Sequence, residues 1–154
     1  MITAMQRALK LIARKARTQA EVERALAKFS PAEREAAVAR LKELGYMDDR
    51  EVGLSRARSL LAKGEAPRLA ARRLASQGVA SADARAAVAE AAGGAADDEL
   101  VARALRLKLR GRQPKDEGER RRLFRSLVAK GHRASAVARA LQLAWEGDDD
   151  ALEE

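Results

Sequence analysis

The 154-residue sequence contains no cysteine, which excludes disulfides, zinc–thiolate sites and cysteine nucleophiles. Such a chain suits a reducing compartment, and a cytoplasmic location is expected. Aromatic residues make up only 3%, and β-branched runs are nearly missing, so strands have little to be built from. No apolar run approaches the ~20 residues needed to cross a bilayer, so no membrane partner is expected. Acids are missing from the first 17 positions, as in many transit peptides. The same basic pattern returns inside the chain, so this stretch reads as part of the fold. A glycine-rich phosphate loop is also missing.

What remains is helix-forming. Hydrophobic residues reach 47%, much of it alanine, and Ala, Leu, Arg, Glu and Lys all favour helix. The predicted fold is all-α with a thin core of Leu, Val, Ile and Ala. Net charge is +8, which attracts polyanions or acidic protein surfaces. By segment the charge is +5 for 1–47, +2 for 48–96, +7 for 97–145 and −6 for the tail 146–154.

Capping chemistry places the helices. "MQRALKLIARKAR" puts Met5, Leu9, Ile12 and Ala16 on one stripe and Arg7, Lys10, Arg14 and Arg17 on another. "TQAE" and "SPAE" read as capping boxes headed by Thr18 and Ser30, with Pro31 at a first helical position. Val38, Leu41 and Leu44 form the next apolar stripe, and Gly45 suits a left-handed C-cap. Further stops follow at Gly64, Gly78, Gly93–Gly94, Gly111, Gly131 and Gly147. The longest polar connection, "LRGRQPKDEG" at 109–118, reads as a flexible loop.

Acidic pairs recur at Asp48–Asp49, Asp97–Asp98 and Asp148–Asp149, 49 and 51 residues apart. Such a period marks a repeat. The expected architecture is three tandem three-helix repeats, about nine helices, stacked through a shared core into an elongated, curved body. Their ranges are 1–47, 48–96 and 97–145, with 146–154 as an acidic tail. The first two pairs precede helices, where an aspartate accepts from free backbone N–H groups and complements the dipole. A magnesium or acid–base site would need more converging oxygens than these segments supply. Gly45, Tyr46, Asp48 and Asp49 therefore read as a junction between repeats, with Tyr46 covering the joint. The third pair has no helix after it and reads as tail.

His132, the only histidine, follows Gly131 at a helix junction with no local triad, so it reads as structural. No catalytic residue, metal ligand or cofactor is expected, and the chain reads as a non-enzyme. The basic faces are the functional candidates: Arg68 and Arg72 on the fifth helix, Arg103, Arg106 and Arg110 on the seventh, Arg122 and Arg125 on the eighth. All are placed away from apolar neighbours. A merely solubilising face would mix both signs. Arginine rather than lysine suits bidentate contact with phosphate or carboxylate. Helix–turn–helix reading of DNA is weakened by three equivalent units, and base stacking by the scarcity of aromatics.

Four segments, "RALKLIARKARTQAEVERALAKF", "ARLKELGYMDDREV", "RRLASQGV" and "LVAKGH", fall in an order and spacing that resembles RecX, the bacterial regulator of the RecA recombinase. The similarity runs over about residues 4–143. Its most specific elements are Gly45-Tyr46-x-Asp48-Asp49 and Leu74-x-x-x-Gly78-Val79. Val52 and Gly53 depart from the family's Phe-Ala step, and His132 from its usual aromatic. The resemblance implies tandem three-helix repeats and a monomer that lodges in the groove of the RecA–DNA filament. It further implies restraint of RecA's ATPase, strand exchange and co-protease activities, in DNA repair, recombination and the SOS response, with weak DNA contact.

Overall fold

A computed structural model of the chain describes residues 1–143, 145 and 147. Among these residues it is helical throughout, with nine α-helices and no strand. Helices α1 (Ala4–Arg14), α2 (Gln19–Ala25) and α3 (Pro31–Glu43) pack on one another as unit 1. Unit 2 is α4 (Asp49–Ala62), α5 (Pro67–Ser76) and α6 (Ser81–Ala92). Unit 3 is α7 (Asp97–Leu109), α8 (Glu117–Ala129) and α9 (Ala134–Leu141).

Local chemistry explains the boundaries. Thr18 and Ser30 each accept from the backbone N–H three residues on, while Glu21 and Glu33 accept from the cap N–H groups in return. Thr3 and Gln6 form a third box, at α1. Pro31 and Pro67 occupy first helical positions, where the missing N–H costs nothing. Gly45 closes α3 with φ +73°, and the Tyr46 N–H donates to Leu41 O at 2.9 Å.

Packing departs from the sequence expectation of one shared core. There are three. Val22, Leu26, Val38, Leu41 and Met47 fill unit 1, and Ala57, Leu74, Val79 and Val88 fill unit 2. Val101, Leu105, Leu123, Leu127, Val137 and Leu141 fill unit 3. The largest buried side chains of each unit pack inside that unit. The accessible surface of 9829 Å² exceeds the ~7,600 Å² of a compact monomer of this mass.

Four side chains also sit differently. In α1 the buried positions are Ala4 and Ala8, while Leu9 is 36% exposed; Ala16 lies beyond the helix end and is exposed. Small residues allow close approach to α3, and Met5 and Ile12 of the predicted stripe do pack on the unit 1 core. Leu44 lies in the turn after α3 and is exposed. Tyr46 is 57% exposed and covers nothing; Met47, 7% exposed, closes unit 1's core in its place. Gly53, at the Val52–Gly53 departure, is buried with room for its neighbours Val79 and Ala87.

Successive units meet turn to turn. The α1–α2 turn of unit 1 rests on the α5–α6 turn of unit 2: Thr18 Oγ1 donates to Gln77 O at 2.6 Å. Arg56 clasps the same joint, donating to Glu21 Oε1 at 2.7 Å, Ala16 O at 3.0 Å and Gln77 Oε1 at 2.9 Å. The α4–α5 turn of unit 2 meets the α8–α9 turn of unit 3 in the same manner. Ala66 N–H donates to Lys130 O at 2.9 Å, and Lys130 Nζ to Lys63 O at 2.9 Å.

Candidate partner interface

Unit 1 hands over to unit 2 through the first acidic pair, whose members divide the labour. Asp48 caps α4, accepting from the N–H groups of Arg50 and Glu51. Asp49 accepts from Gln19 N–H at 2.9 Å, tying α4 to the start of α2. At the second pair the capping expectation fails. Ala96 is the N-cap of α7 with no side-chain cap bond. Asp97 and Asp98 stand in the first turn, paired with Arg133 at 3.3 Å and Arg139 at 3.0 Å, both from the α9 end of the same unit. The repeat preserves acids at a helix start but not their partners. Asp148–Asp149 lie outside the described residues, as does most of the acidic tail.

His132 is buried, and its Nε2 donates to Gly64 O at 2.7 Å across the joint of units 2 and 3. Burial pushes its pKa down, partly offset by the Gly64 bond and by Asp97, and reinforced by Lys130 and Arg68. It is a residue of the joint between units 2 and 3. Among the described residues no group of three or more His, Cys, Asp or Glu is placed to hold a metal. No described helix is long and apolar enough to cross a membrane.

Arg68 was expected on an open basic face. It is half-buried and donates through Nε to Gly131 O, across the same joint. Its position follows from Pro67: it lies in the first turn of α5, beside the turn that unit 3 presents. Arg72 is exposed further along α5. The 109–118 connection is tied down, since Arg112 pairs with Glu119 and Lys115 N–H donates to the same carboxylate at 3.2 Å. The Arg112 bond is the leading reason that the Glu119 carboxyl titrates below its usual value.

The remaining arginines stay on the surface. Arg103 makes only an exposed i,i+4 pair with Glu99 at 3.3 Å. Among the described residues Arg106, Arg110, Arg122 and Arg125 are exposed and hold no ion pair or side-chain hydrogen bond. Arg122 and Arg125 flank the buried Leu123 on α8. Trp145 packs on the neighbouring Phe124, ring centres 5.2 Å apart.

Arg103 and Arg106 converge with a residue the sequence reading passed over. Arg58 of α4 lies across a cleft of about 500 Å³ between units 2 and 3. Leu61, Leu100 and Leu107 contribute its apolar lining, and Leu107 is 52% exposed. Only the pairing of α4 with α7 across a joint brings Arg58 here, and periodicity within one helix carries no such signal.

No protein-family profile matches this sequence, and no curated protein matches it in sequence. In structure it is similar to the crystal structure of RecX from Lactobacillus salivarius, with a TM-score of 0.67, 19% identity, and coverage of 90% of this chain and 92% of that one. The chain has the RecX fold.

Proposed function

We propose that this protein is a non-enzymatic regulator of the RecX kind, binding in the groove of a RecA–DNA filament and restraining RecA's ATPase, strand exchange and co-protease activity. The observation that supports it most is a fold shared over nearly the whole length of both chains. The ordered segments around Gly45–Asp49 and Leu74–Val79 add to it. An open row of three units carrying exposed arginines suits a long, grooved, anionic partner better than a small ligand. Arg72, Arg103, Arg106, Arg110, Arg122 and Arg125 are the proposed contact residues, and Arg68 acts by holding unit 3 in place.

The test is RecA's single-strand-dependent ATPase with this protein titrated in. Hydrolysis should fall as the protein approaches the concentration of RecA. Unchanged hydrolysis at a large excess over RecA would refute the proposal.

The free arginines of unit 3 favour one second reading, a non-specific DNA-binding protein. Its affinity would fall with salt at a log–log slope of about −0.9 per phosphate contact on duplex DNA. Excess free DNA would then abolish any inhibition of RecA. Inhibition that survives such competitor DNA would exclude this reading.

A further inference from the structure

We infer that the cleft between α4 and α7 binds a short acidic segment of a partner protein, one that inserts a large apolar side chain between carboxylates. Three features of the cleft point to that chemistry. Its floor is aliphatic, from Leu61, Leu100 and Leu107, and Leu107 is left 52% exposed. Its rim carries Arg58, Arg103 and Arg106, of which Arg58 and Arg106 have no ion-pair partner among the described residues. The acid that also lines it, Glu65, is engaged by Arg73 and does not neutralise the rim.

The repeat supplies an internal comparison. Asp48 and Ala96 are the N-caps of α4 and α7, which sets a register between the two helices. In that register Ser55 answers Arg103, Arg58 answers Arg106 and Ser59 answers Leu107. Arg14 and Ala62, the last residues of α1 and α4, set a second register in which Ala13 answers Leu61. The first joint therefore has Ala13 and Ser59 where the second has Leu61 and Leu107, while the buried Val52 answers Leu100. An exposed leucine at 107 serves no packing need common to the repeat, since Ser59 fills the same place.

Chemistry separates a peptide from a nucleic acid here. Guanidinium forks bind carboxylates and phosphates alike. Phosphate offers nothing to cover Leu107 and Leu61, however, and no aromatic side chain lines the cleft to stack a base. An apolar anchor ringed by carboxylates satisfies floor and rim together, the arrangement in which a few buried side chains dominate binding. The volume, about 500 Å³, lies within the range of sites that enclose such anchors.

The experiment uses the full chain and fluorescence anisotropy with three labelled probes. One is a short peptide in which pairs of glutamates alternate with single leucines. The second has each leucine replaced by serine, and the third is an oligothymidine of matched charge. The leucine peptide should bind at least about tenfold more tightly than the serine peptide. Leu107→Ser should erase that difference while leaving oligothymidine affinity and the melting temperature unchanged. Arg58→Glu with Arg106→Glu should abolish peptide binding. Equal binding of the two peptides, or peptide affinity indifferent to Leu107→Ser, would overturn the inference. So would an oligothymidine affinity that falls in step with the peptide's in Leu107→Ser. The assay contains no RecA, so its outcome and that of the ATPase test are independent.

Discussion

Gly78 and Gly131 hold the same place in units 2 and 3, four residues after the buried Leu74 and Leu127, with φ of +102° and +93°. Each is pressed against the preceding unit. A Cβ on Gly78 would lie 2.4 Å from the Ala20 Cβ, and one on Gly131 2.7 Å from the Leu69 Cβ. Two costs then add, left-handed strain and collision with a neighbouring helix start. Gly78→Ala should therefore destabilise by more than the ~1–3 kcal/mol of strain alone. Gly93→Ala, at φ +62° with open space around it, should cost only the strain. Urea unfolding of the two variants measures the difference. His132 makes a second prediction at this scale. Its folded pKa is depressed, so the unfolded chain binds the extra proton more readily. Its contribution is complete above the usual value of 6.5 and is lost as pH falls below it. Protection factors against hydrogen exchange at the Gly64–Ala66 and Lys130–His132 backbone, corrected for the intrinsic slowing of exchange in acid, should fall as pH drops below 6.5, and His132→Phe should remove that loss.

Between elements, the joints are polar clasps, and their strength depends on charge. Burial raises the Glu21 pKa, but its bonds to Arg56 and to Thr18 N–H outweigh this and leave it lowered. The stabilisation is present above 4.5 and drains away as pH falls through the lowered value. Arg56→Met keeps the aliphatic stem and removes three donors, leaving Glu21, Ala16 O and Gln77 without them. It should cost about 1–3 kcal/mol at neutral pH and blunt the acid sensitivity of the joint, as followed by calorimetry. Such clasps were barely legible in the sequence. Helix caps such as Thr18, Ser30 and Asp48 are local and could be read directly. Arg56 gave no signal, because Ala16, Glu21 and Gln77 are brought to it by the docking of two turns. Arg68 misled for the same reason: helical period set its direction, and a neighbouring unit was waiting there. The exposed arginines at 106, 122 and 125 were legible because helical period alone sets the side of the helix away from its buried residues; Arg110 lies beyond that rule, as the left-handed C-cap of α7.

At the scale of the whole molecule, three separate cores joined by turns set the mechanical character. Interfaces between repeats carry nearest-neighbour coupling, and here that coupling rests on a few hydrogen bonds and a small number of close apolar contacts at the glycine turns. Thermal unfolding should therefore depart from a single two-state step, with the van't Hoff enthalpy below the calorimetric one. Coincident enthalpies would show the joints to be stronger than their contacts suggest. Charge predictions belong to this scale as well. Arg122→Glu combined with Arg125→Glu should weaken binding to RecA filaments or to DNA while leaving the melting temperature almost unchanged, because both side chains are exposed. A large fall in melting temperature would contradict that placement.

The glycine turn also gives the row a grammar. Units 2 and 3 carry the glycine that lets a predecessor sit against them, whereas unit 1 has Lys28–Phe29 at the corresponding turn, closed by a Phe29 N–H to Leu26 O bond. At the far side, unit 3's α7–α8 connection is the longest of its kind and satisfies itself through Glu119 instead of offering a short turn to a successor. The first and last units are thus spelled differently from the middle one. Lengthening this protein by duplication would succeed only with copies of unit 2, the one module written with both a socket and a plug.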